Sequence, residues 1–100
     1  MNLEISYLYR DAANYKQLQS VIIANPDQLS AEAVSERLRA RFADDQVWPD
    51  ILHFRPEDLG WPTAYFADHG EDDDDLDLHE LDSIKPSDQD ATTEFDLNSL

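Results

Sequence analysis

The chain has no cysteine, only two glycines and a single methionine in 100 residues. Without cysteine it can form no disulfide, no thiol nucleophile and no thiolate metal site. With glycine only at positions 60 and 70, no Gly-rich loop that cradles phosphate can form. Cations are equally scarce: Lys and Arg number 7 against 23 Asp and Glu, for a formal net charge of −16. Binding to DNA, RNA or an anionic membrane draws on cationic attraction, and here that force is turned into repulsion. No run of 18 apolar residues occurs, so no bilayer-spanning helix is expected. The opening Met1-Asn2-Leu3-Glu4 has neither a basic n-region nor an apolar h-region, so no signal peptide is expected and a cytoplasmic protein is predicted.

What remains is 41% hydrophobic and 10% aromatic, enough for one small core. Leu3, Ile5, Tyr7 and Tyr9 alternate with polar neighbours, the period-two pattern of a half-buried strand. Arg10 to Asn14 reads as a turn, and residues 15–24, with Val21, Ile22 and Ile23, as a second strand folding back on the first. Pro26 ends that ladder. Ser30 is a good N-cap, Leu29 can staple onto Val34, and Val34, Leu38 and Phe42 recur every four residues. This predicts a helix over 31–43. Ile51, Leu52 and Phe54 suggest a short strand, residues 57–60 a helical turn, and Trp61, Tyr65 and Phe66 a second apolar cluster. Residues 76–85 read as a further strand, with imperfect alternation, reaching the core through Leu78, Leu81 and Ile84. The fold class predicted is α+β: a hairpin plus a third strand on one helix, with an acidic irregular segment, as a single domain over 1–86. Residues 87–100 read as a flexible tail whose only anchors are Phe95, Leu97 and Leu100.

Charge is distributed unevenly. Residues 1–67 carry 10 acidic and 6 basic side chains, whereas 68–100 carry 13 acidic ones and a single cation, Lys85. Between Asp68 and Asp82, nine of fifteen residues are acidic. A solvated loop is the commonplace explanation for such a run. This run, however, lies between two apolar segments that must dock on one core, and its self-repulsion is screened only beyond about 8–10 Å. Duplex DNA carries a charge about every 3.4 Å along each strand. An extended peptide rises about 3.3 Å per residue, so its carboxylates approach that density. Asp68, Glu71, Asp72, Asp73, Asp74, Asp75, Asp77, Glu80 and Asp82 are therefore the candidate partner-binding residues, standing in for phosphates before a basic, nucleic-acid-binding protein.

Other chemistries fit less well. Asp73, Asp75 and Asp77 have the one-three-five spacing of a calcium loop, but Leu78 occupies the glycine position and Ile84 the bidentate glutamate position. His53, His69 and His79 lack helical i, i+4 spacing, so no metal site is assigned and no cofactor is expected. Catalysis by carboxylates needs two of them in different environments within a cleft, for which a chain this short has little room. No catalytic residue is assigned, and the chain is read as a non-enzyme. Arg37, Arg39 and Arg41 on the helix are expected to pair with the protein's own acidic segment. The aromatic set Tyr7, Tyr9, Tyr15, Trp48, Trp61 and Tyr65 is expected to be mostly core.

The residues Ile5-Ser6-Tyr7-Leu8-Tyr9-Arg10-Asp11-Ala12-Ala13-Asn14-Tyr15-Lys16, with His79-Glu80-Leu81-Asp82-Ser83-Ile84 near the other end, carry a resemblance. They resemble a group of small bacterial proteins that share a Tyr-x-Tyr-Arg-Asp-x-x-Asn-Tyr-Lys opening and a His-Glu-aromatic-Asp-Ser close, across roughly residues 5–85. Leu81 replaces the aromatic, and the resemblance implies no activity. In size and charge alone, the chain is also similar to phage-encoded inhibitors of the anti-CRISPR and anti-restriction kind, which imitate DNA. The sequence thus predicts an acidic inhibitor or regulator of a nucleic-acid-handling protein. A divalent-cation-responsive module and an antitoxin-like interaction domain are the alternatives.

Overall fold

A computed structural model of the chain describes residues 1–10, 15–65 and 78–100. Strand β1 (Asn2–Arg10) follows its alternation strictly, burying Leu3, Ile5, Tyr7 and Tyr9 on one face. Strand β2 (Lys16–Ile23) pairs antiparallel with it, from Leu3 opposite Ile23 to Arg10 opposite Lys16. Two further strands, β3 (His53–Phe54) and β4 (His79–Ser87), complete an antiparallel sheet in the order β2-β1-β4-β3. One helix, α1 (Ala31–Arg41), lies against it, so the fold is α+β. Among the described residues no helix is long and apolar enough to cross a membrane.

The connection from β2 to α1 is set by Asn25. Its side chain accepts from the Leu29 N–H at 2.9 Å and donates to the Leu29 carbonyl at 3.0 Å. Ser30 then caps the helix, its hydroxyl accepting from the Ala33 N–H at 3.1 Å. Such a cap is worth about 1 kcal/mol. Burying Val34, Leu38 and Phe42 is worth about 1.5–3 kcal/mol for each side chain, so packing rather than capping holds the helix in place. The helix stops two residues before the predicted end. Phe42 leaves helical geometry, and Ala43–Asp45 tighten into a 3-10 turn.

Strand β4 explains its own irregular sequence pattern. Tyr7 faces Leu81, but Ser6 faces Ser83, so Asp82 is an extra residue with no partner on β1. This bulge changes which residues face inward. Before it, odd positions join the core face, with His79 and Leu81 there; after it, even positions do, with Ile84 opposite Ile5 and Pro86 opposite Leu3. Leu78 and Leu81, expected in the core, are half-buried, and His79 is fully buried beside them.

The core is a chain of ring contacts. Tyr7 and Phe54 meet at 5.3 Å, Phe54 and Trp61 at 5.9 Å, and Trp61 and Phe95 at 5.4 Å between centroids. Gly60, at φ 74°, ends the 3-10 turn Pro56–Leu59 and lets the chain bring Trp61 inward. The C-terminal residues, read from sequence as a tail, run back over this core. The Thr92 N–H donates to the Ile22 carbonyl at 2.8 Å, and its hydroxyl accepts from the Ile22 N–H at 2.9 Å. Leu97 is buried, with Phe95 and Leu100 packed beside it. All three expected anchors are therefore used, and burying them offsets the entropy of ordering the segment.

Candidate functional site

Seven of the nine carboxylates singled out by sequence lie outside the described residues: Asp68, Glu71, Asp72, Asp73, Asp74, Asp75 and Asp77. What the structure describes is how the two ends of that stretch are attached. Before it, the Tyr65 hydroxyl donates to Glu57 at 2.7 Å, while the Gln17 amide donates to the carbonyls of Ala64 and Tyr65, each at 3.1 Å. After it, the His79 imidazole accepts from the Ala64 N–H at 2.8 Å. That bond places the lone pair on Nε2 and so the neutral-ring proton on Nδ1. The Tyr65 and His79 rings meet edge-on at 4.6 Å, and Tyr9 completes the cluster, 4.8 Å from Tyr65 and 5.4 Å from His79. The described residues on either side of the acidic stretch therefore meet at one place.

The two described members of the set differ. Asp82 is exposed, at the bulge. Glu80, expected to face outward with the others, is 8% exposed and ion-paired with Arg10 at 2.9 Å. The parity of the sheet explains this correction. Glu80 stands opposite Leu8 on β1 and opposite His53 on β3, on the face away from the core, and Arg10, two residues along β1 on that same face, reaches it diagonally. A carboxylate this buried needs a charged partner, and Arg10 supplies it.

His53, opposite Glu80, is 1% exposed. Its Nδ1 takes a long contact of 3.5 Å from the Val47 N–H, and Trp48 covers the ring at 5.6 Å. Gln46 bridges its backbone, accepting from the His53 N–H at 3.0 Å and donating to its carbonyl at 2.8 Å. Its Nε2 is buried with no hydrogen-bond partner among the described residues. Burial pulls this imidazole below the usual histidine range, with Arg39 assisting and Glu80 opposing. Burial likewise pushes the Tyr7 phenol well above its ordinary range, with the Glu57 charge adding to it. The Tyr7 hydroxyl donates to the Pro62 carbonyl.

The pairing of Arg37, Arg39 and Arg41 with the acidic stretch, expected from sequence, falls largely on residues outside the described ones. Arg41 donates to the Ser99 carbonyl at 2.7 Å and Arg37 to the Leu97 carbonyl at 3.3 Å, so they clamp the C-terminal residues onto α1. Among the described residues the ion pairs are Arg10–Glu80 and Arg55–Asp45. Four of the chain's seven cations are thus engaged within the fold, while Glu32, Glu36, Asp44, Asp50, Asp58 and Asp82 are exposed.

Other expected groups separate cleanly. His53 and His79 lie on neighbouring strands but opposite faces, since His53 pairs with Glu80 and His79 with Phe54. Among the described residues no three His, Asp or Glu side chains converge as metal ligands, and His69 and the calcium-like spacing of Asp73, Asp75 and Asp77 lie outside them. Tyr7, Tyr9 and Trp61 are core, and Tyr65 is half-buried. Tyr15 and Trp48, expected with them, are 69% and 50% exposed. Sequence reasoning missed Gln17, Arg10 and His53 as structural positions. Gln17 shares the core-side phase of β2 with Val21 and Ile23, and that phase was the one available signal. Comparison with family models, curated proteins and solved structures returned no match.

Proposed function

We propose that this chain is a non-enzymatic acidic inhibitor or regulator that occupies a basic surface of a nucleic-acid-handling protein in place of nucleic acid. The observation that supports this reading best is the joining of both ends of the acidic stretch at the Tyr65–His79 contact, 4.6 Å between rings. The chain on either side of the carboxylates is tied at one place on the fold, and in this reading that tie reduces the freedom lost on meeting a receptor. The engagement of Arg10, Arg37, Arg41 and Arg55 within the fold adds support, because it leaves few of the chain's own cations to compete with that receptor. The working residues in this reading are Asp68, Glu71, Asp72, Asp73, Asp74, Asp75 and Asp77, with Asp82 beside them. Glu80 acts inside, holding Arg10.

The test is capture from a bacterial lysate at low salt, with elution by a salt gradient and identification by mass spectrometry. Nucleases or other DNA-binding proteins should elute at moderate salt, since contacts of this kind weaken steeply as ionic strength rises. The Asp72/Asp73/Asp74/Asp75→Asn variant should retain at least tenfold less of the same proteins. Equal retention by that variant would sink the reading.

A further inference from the structure

Strand β4 has one side committed and one side open. Towards β1 it is paired from Glu80 to Ser87. On the opposite side β3 covers only His79 and Glu80, and the Leu81 N–H donates to the Leu52 carbonyl at 2.9 Å. Beyond that point, among the described residues, the edge from Asp82 to Ser87 makes no backbone hydrogen bond away from β1. Such an edge is a template for one more strand. Since the Leu81 N–H points away from β1, alternation across the bulge leaves Ile84 as the next residue with its N–H and C=O on the open edge, and Pro86 after it offers only its carbonyl, so the usable ladder is short.

This edge borders an open groove rather than a flat surface. It forms one side of a groove of about 440 Å³ whose other side is the first two turns of α1. Leu81 and Ile84 supply half-buried apolar lining, and Ala31 and Ser35 keep the helical wall low. Glu32, Glu36 and Asp82 rim it, all exposed, and among the described residues no cation lines it.

We propose that this groove accepts an extended basic peptide segment of a partner protein, added antiparallel or parallel to β4 as a further strand. Charge complementarity selects the occupant. Glu32 and Glu36 are one helical turn apart, about 6 Å along the axis. Side chains on one face of an extended peptide repeat about every 6.6 Å, so alternate lysines or arginines match both carboxylates. The methylene stems of those same lysines or arginines can lie on Leu81 and Ile84, which face α1 with them. A second copy of this chain is the wrong occupant: its own β4 edge would bring the same three carboxylates against these, and each molecule carries a net charge of −16. The inference does not depend on the acidic stretch after Tyr65, because every residue in it belongs to α1 or β4.

The test uses an acetylated octapeptide of alternating lysine and valine, titrated into the full ¹⁵N-labelled chain and followed by amide chemical shifts. The amide of Ile84, which faces the open edge, should move together with those of Glu32 and Glu36. A Glu32→Gln/Glu36→Gln variant, altered only at exposed positions, should bind at least fivefold more weakly. The same peptide N-methylated at alternate residues, which keeps the charge and removes ladder donors, should not bind. Equal binding of the N-methylated peptide would overturn the proposal, as would shifts confined to residues 66–77. The Asp72/Asp73/Asp74/Asp75→Asn variant should bind the octapeptide within twofold of wild type, so loss of the charge-mimic function would leave this result standing.

Discussion

The His79 imidazole accepts the Ala64 N–H at 2.8 Å inside the core, joining residues on either side of the acidic stretch. Tyr7, Tyr9 and Tyr65 surround the same ring. The bond satisfies a backbone donor that would otherwise be buried unmade, at a cost of about 1–3 kcal/mol.

His79→Ala should therefore lose that bond and open a cavity beneath three tyrosines. A destabilisation of about 3 kcal/mol is expected in urea unfolding. Partner capture should fall even under conditions where the variant remains folded, because the return point of the acidic stretch is loosened. A loss under 1 kcal/mol would show that His79 is not the tie.

His53 makes stability depend on pH. Burial lowers its folded pKa below the unfolded value near 6.5, with Arg39 acting in the same direction and Glu80 against it. Between the two values the unfolded chain binds the extra proton. The contribution is thus fully present above pH 6.5 and is lost as pH falls through 6.5 towards the folded value. An NMR titration of the His53 ring should show a midpoint below 6.5. The thermal midpoint of wild type should fall more between pH 7 and 5 than that of His53→Gln, which keeps the carboxylate background.

The clamp on the C-terminal segment should be measurable. Leu97→Ala should cost about 2–4 kcal/mol, since a 3% exposed side chain leaves the core. Arg41→Ala should cost less, about 0.5–1.5 kcal/mol, as one exposed hydrogen bond to the Ser99 carbonyl is lost. A chain ending at residue 90 should lose more than either, because Thr92 also leaves the β2 edge. Urea midpoints of the three variants test this ordering.

Asp82 separates side-chain identity from residue count. Asp82→Asn should lie within about 0.5 kcal/mol of wild type, as the side chain is exposed. Deleting Asp82 removes the bulge and forces one half of β4 to turn its inward residues outward. That deletion should prevent folding or cost more than 4 kcal/mol, as read by circular dichroism and urea unfolding.

These relationships were legible in sequence to different degrees, for physical reasons. Leu3, Ile5, Tyr7 and Tyr9 alternate because β1 is regular, and Val34, Leu38 and Phe42 recur because the helix buries one stripe; both periods can be read directly. Strand β4 resisted the same reading because a bulge changes parity without changing composition. Arg10 and Glu80, 70 residues apart, meet only once the sheet register is known, as do Arg41 and Ser99 across the helix. Residues 87–100 read as a flexible tail because a terminus orders only where it is tied down, yet Phe95, Leu97 and Leu100 are enough to dock it.

The first strand has a neighbour that follows it within a few residues and another that arrives only at the far end of the chain, with Asn2 opposite Ser87. During synthesis, β1 must wait with one edge unoccupied until β4 (His79–Ser87) has emerged. The carboxylate-rich stretch emerges before β4, so the nascent sheet is accompanied by a dense negative charge while it is still open. That order offers the half-made protein electrostatic protection against aggregation at the stage when it is most exposed to it.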